Sequence, residues 1–95
     1  ALPDSPVRLA FLEFMSPNLP EAGAALAAEG CTHIEVLPLF LGAGGHVRKD
    51  LPLLIDRVKA AHPGTAVVLH PSVGETHSVV QAMADVATAL LRSPV

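Results

Sequence analysis

The chain has 95 residues, and 6 Lys+Arg against 9 Asp+Glu give a formal charge of −3 with His neutral, which bounds it to one small domain. Hydrophobic residues make up 51% and charged residues 16%, which excludes charge-driven disorder and leaves enough apolar surface for a core. With no Tyr, no Trp and three Phe that core must be aliphatic, and mild acidity without a basic cluster argues against a nucleic-acid partner.

The opening Ala1-Leu2-Pro3-Asp4-Ser5-Pro6 lacks a positive charge followed by an apolar stretch, so it is not expected to be a signal peptide. It also lacks an initiator Met, and nothing requires the natural gene to begin at Ala1. Val7 to Glu13 is a mainly apolar run bounded by Pro6 and Ser16-Pro17 and reads as a buried first strand. Asn18 with Glu21 three residues on, and Pro20 between them, predicts a capping box opening a helix over residues 19 to 29, which Gly30 stops. Cys31 is the sole cysteine, so an intrachain disulfide is excluded; a reducing compartment, the cytoplasm, is expected.

His33 to Leu41 is the second apolar run, and its regular part should stop near Leu37 because Pro38 cannot donate to a ladder. Gly42-Ala43-Gly44-Gly45-His46 reads as a loop, after which Asp50 is expected to cap a helix lined by Leu51, Leu54, Ile55 and Val58 and ended by His62-Pro63-Gly64. Ala66 to His70 reads as a third strand. A last helix then carries Val79, Val80, Met83, Val86, Ala87 and Leu90 on one face. Pro or Gly interrupts every long apolar stretch, so none supplies the roughly 20 apolar residues of a membrane helix, and no membrane association is expected.

Strand followed by helix, three times over, predicts the α/β class with an open parallel sheet of βα repeats. Right-handed crossovers bring the carboxyl ends of the strands to one edge, where ligand sites of such sheets lie. Glu13, His46, His70 and His77 fall on that edge, whereas His33 and His62 fall on the other. A carboxylate with imidazoles suits a divalent first-row metal or proton transfer near neutral pH. Glu13 in an apolar run is costly unless paired, which favours a functional role, and His46 in a glycine-rich loop reads the same way. His70 and His77 read first as local hydrogen-bonding groups. Phe14 and Met15 read first as core, or else as an apolar wall for a flat ligand. Arg48 and Lys49 read as a solvated helix entrance or as cations for an anionic substrate.

Two blocks, Ala10-Phe11-Leu12-Glu13-Phe14-Met15-Ser16-Pro17-Asn18-Leu19-Pro20-Glu21-Ala22 and Pro38-Leu39-Phe40-Leu41-Gly42-Ala43-Gly44-Gly45-His46-Val47-Arg48-Lys49-Asp50-Leu51-Pro52, resemble the small sirohydrochlorin chelatase family. Gly74-x-x-His77 is a weaker third block, and the similarity runs from Val7 to about Leu91. The resemblance implies a chelatase-like, flavodoxin-like three-layer fold. It also implies insertion of a divalent metal, cobalt first with iron or nickel as alternatives, into sirohydrochlorin on the routes to cobalamin or sirohaem. The substrate metal is the only cofactor expected.

His46 matches the family's histidine after the glycine loop, and Glu13 its carboxylate. Both are implied as catalytic and metal-binding, one ligating the metal and the other accepting a pyrrole proton, in either assignment. The backbone at Gly44 and Gly45 and the cations Arg48 and Lys49 are implied anchors for substrate carboxylates, with Phe14, Met15 and Phe40 facing the ring. The family's His-Gly-Ser motif is absent, so a first βα unit, whose strand would lie between the first and second strands, is expected to be missing from an incomplete chain. The other reading is a metal- or tetrapyrrole-binding module without turnover. A homodimer is a further expectation from the family.

Overall fold

A computed structural model describes residues 5–12, 15–42 and 44–92, with the side chain of His46 left aside. The first helix, α1 (Leu19–Ala28), starts where the sequence predicts. The Asn18 side chain accepts from the Glu21 N–H at 2.9 Å, and Glu21 Oε1 accepts from the Asn18 N–H at 2.9 Å, so two otherwise orphaned donors are satisfied reciprocally. It ends in a Schellman turn: the Gly30 N–H reaches the Ala27 carbonyl, the Cys31 N–H reaches that of Leu26, and Gly30 takes φ +92°, where a side chain would be strained.

Strand β1 (His33–Val36) follows, then helix α2 (Gly45–Ala61) and strand β2 (Ala66–Leu69), which pairs with β1 in parallel with His33 opposite Ala66 and Val36 opposite Leu69. The alternation puts Ile34 and Val36 of β1 and Val67 and Leu69 of β2 on one face. That face meets Ile55 and Val58 of α2 and Leu19 and Leu26 of α1, which together form the aliphatic core. Gly23 lets the two helices approach, since a Cβ there would lie 3.0 Å from Val58 Cγ1. A single 3₁₀ turn (Val73–Glu75) leads into α3 (His77–Arg92).

Three expectations need correction. First, Val7 to Leu12 is not part of a strand; Phe11 makes one isolated parallel bridge to Asn18, its N–H donating to the Pro17 carbonyl at 2.9 Å. A strand needs a neighbour, and the sheet among the described residues contains β1 and β2 alone, with β1 paired along one edge. Between this segment, α1, α2 and the outer edge of β1 lies an apolar groove of about 1080 Å³, and Val7 and Leu9 stay exposed. The Arg8 guanidinium fastens the segment to Glu29 just past α1.

Second, Asp50 is not a cap. The chain enters α2 at Gly44, extended at φ −70° and ψ 166°, so the helix begins more than a turn earlier and Pro52 sits inside it. Pro52 gives no N–H to the ladder, yet continuing through it carries Leu51, Ile55 and Val58 into the core. Third, α3 does not cover the second face of the sheet. None of its residues is buried, and it packs on the 3₁₀ turn that precedes it. The radius of gyration is accordingly 16.6 Å, against about 13 Å for a compact chain of this size. The α/β class, the parallel pairing and the βα order hold, with two layers in contact where three were expected.

Candidate functional site

The carboxyl ends of β1 and β2 are joined beyond the ladder. The His70 N–H donates to the Val36 carbonyl at 2.9 Å, that of Val73 to Pro38 at 2.8 Å and that of Gly74 to Phe40 at 2.9 Å. Two post-strand loops are thereby held as one platform. Gly74 is required there: it is buried, and a Cβ on it would overlap the backbone of Leu41. Its near neighbour Ser72, 4% exposed, closes a second capping box with Glu75, whose carboxylate accepts from the Ser72 N–H at 3.1 Å.

The platform leads directly to the start of α2. Gly44 is its N-cap, Gly45 its first residue and His46 its second, so His46 lies in the first helical turn at the carboxyl edge of the sheet. Gly44, as N-cap, brings no capping side chain of its own, and the N-terminal N–H groups of a helix favour an anionic ligand. Arg48 is exposed in the same turn, with Nη2 3.8 Å from Glu75 Oε1. Arg48, Val47, His70, Ser72 and Glu75 line a cavity of about 250 Å³ between α2 and the loop after β2.

Of the residues singled out from sequence, Gly44, Gly45, His46, Arg48 and His70 gather at this edge. Glu13 and Phe14 lie outside the described residues. Met15 is exposed, and His77 opens α3, also exposed. His33 and His62 sit at the start of β1 and the end of α2, on the opposite edge as expected. Two residues escaped sequence reasoning. Glu75 was signalled by Ser72-x-x-Glu75, a capping-box spacing. Glu35 accepts a hydrogen bond at 3.0 Å from His70 Nε2, and finding it needs the strand register. Among the described residues no three His, Cys, Asp or Glu side chains converge on one point. No helix among the described residues is long and apolar enough to cross a membrane.

This arrangement meets a consistent set of relatives. The family model for CbiX matches residues 1–90. The chain belongs to the CbiX family. A relative from Sulfurisphaera tokodaii, named sirohydrochlorin cobaltochelatase, is 29% identical over 87 residues, 92% of this chain and 69% of that protein. The sirohydrochlorin ferrochelatase of Bacillus subtilis is 32% identical over 75 residues, 79% of this chain and 29% of the relative. A crystal structure of a CbiX protein of cobalamin (vitamin B12) biosynthesis from Marinobacter aquaeolei VT8 superposes with a TM-score of 0.74 at 35% identity, covering 88% of this chain and 70% of that one. The chain thus spans about seven-tenths of two of these proteins and under a third of the other.

Proposed function

We propose that this CbiX chain carries the metal-insertion chemistry named for its relatives, placing a divalent metal, cobalt first, into sirohydrochlorin. The observation that carries the reading is the position of His46. It stands in the first turn of α2 at the carboxyl edge of a parallel sheet, inside the glycine-rich block that resembles the family and within the residues that the family model matches. Cobaltochelatase and ferrochelatase names both occur among the relatives, and the choice of cobalt follows a cobaltochelatase aligned over 92% of this chain.

Insertion requires the ion to shed water, the ring to be held within reach and two pyrrole protons to leave. A neutral imidazole at His46 suits ligation of a borderline divalent ion. The Glu13 carboxylate suits acceptance of a pyrrole proton and offsets the positive charge of the arriving metal. The N–H groups at the start of α2 and the Arg48 cation suit the carboxylates at the substrate's rim. Phe14, Met15 and Phe40 supply apolar contact for the ring, and the cytoplasm is the compartment in which this substrate would be met.

The test is the absorbance change of sirohydrochlorin with cobalt. His46→Ala is expected to lower turnover by about a hundredfold or more, within the range of lost acid–base or ligand function, while the circular dichroism spectrum is unchanged. Unchanged turnover in that variant would overturn the assignment. Tight binding of metal and tetrapyrrole by the unaltered chain with no conversion would favour a binding module instead.

A further inference from the structure

The face of the sheet left open by α1 and α2 carries Glu35 on β1 and, in the adjacent register, Val68 on β2. His70 lies two residues past Val68 and so shares that face. Its N–H bond to the Val36 carbonyl extends the ladder to it. The backbone therefore fixes the two side chains side by side, with His70 Nε2 3.0 Å from Glu35 Oε1. Glu35 and His70 remain 61% and 42% exposed.

That separation has a second meaning. Bonds of about 2.1 Å from a first-row divalent ion to imidazole nitrogen and carboxylate oxygen place cis donors at right angles about 3.0 Å apart. The ion would lie about 1.5 Å off the line between the two atoms, whereas the proton lies on it, so a turn of the two exposed side chains, with no change of backbone, brings both lone pairs onto a metal. We propose that Glu35 and His70 form a labile two-donor site for a divalent first-row cation, at the same sheet edge and made without His46. On binding, the Nε2 proton moves to Nδ1, so the imidazole stays neutral and offers its lone pair to the metal. Two coordinated waters leave. Solvent fills the remaining positions, because no third protein donor among the described residues converges on the pair. Such a site exchanges its ion readily. Resting on the insertion reading above, its role is to hold the cargo metal before insertion; the binding itself does not depend on that reading.

The experiment titrates the 95-residue chain with cobalt and follows the imidazole resonances by NMR. Paramagnetic shift or broadening of His70 is expected in the unaltered chain and in His46→Ala. Cobalt affinity at this site should fall about tenfold or more in His70→Ala and in the shape-conserving Glu35→Gln, a factor of ten being about 1.4 kcal/mol. A His70 resonance indifferent to cobalt, or a Glu35→Gln variant that binds as tightly as the parent, would overturn the site. In the insertion assay, Glu35→Gln should raise the cobalt KM and leave kcat unchanged. An unchanged KM removes the loading role. A chain that takes cobalt at His70 yet never converts sirohydrochlorin removes that role together with the insertion reading, and the cation site stands.

Discussion

The two faces of the β1–β2 sheet are made from alternate residues of the same eight-residue ladder, yet they have opposite fates. Ile34 and Val67 lie under α1 and α2 at 7% and 6% exposure, whereas Glu35 and Val68, one position along, are open. The helices repeat the contrast: α2 buries Leu51, Ile55 and Val58, and α3, with its own stripe of Val80, Met83, Val86 and Leu90, buries none of its residues. An apolar stripe therefore specifies that a helix forms and which side is apolar. It does not say whether a surface is there to receive it.

The comparison is broken most directly at the covered face. Ile55→Ala is expected to cost about 2–5 kcal/mol, read as a fall in the urea midpoint with unchanged slope; a loss below about 1 kcal/mol would mean the two faces are not energetically distinct. At the junction between platform and α3, Gly74→Ala sets a Cβ against the Leu41 backbone. About 1–3 kcal/mol of overpacking strain is expected, with faster hydrogen exchange at the amides of Val73 and Gly74. At the entrance of α1, Asn18→Ala removes one half of the capping box, for about 1 kcal/mol, measurable by the same denaturation. Leu90→Ala on α3 completes the series: at 66% exposure it should stay within about 0.5 kcal/mol. A loss as large as that of Ile55→Ala would show that α3 is covered in solution.

Much of this was legible because it is local. The Asn18–Glu21 box, the Gly30 stop, both strands of the sheet and the Leu51–Val58 stripe each depend on residues within a few positions of one another. The misreadings share a different cause. Asp50 is a good capping residue and Pro52 a good second helical position, so local rules agreed on a late start for α2; the helix runs back to Gly45 all the same, although its buried residues Leu51, Ile55 and Val58 all lie within the shorter helix. Val7 to Leu12 has strand composition, but a strand is a pairing and pairing is non-local. At the site, the edge rule brought His46 and His70 together, while Glu35 required knowing that it lies across the ladder from Val68.

The parallel pairing of β1 with β2 also sets the order in which the chain organises. Each ladder pair joins residues 33 positions apart, as His33 and Ala66 do, so no tight turn can nucleate it and the intervening loop must close first. Helix α2 supplies 17 of those residues and shortens their span to about 26 Å, where the extended chain would reach about 56 Å. The fast local event thus draws the strand ends toward each other before the first interstrand bond forms. A refolding rate limited by that docking step, and not by a hairpin, is the kinetic signature written into a two-stranded sheet whose strands run the same way.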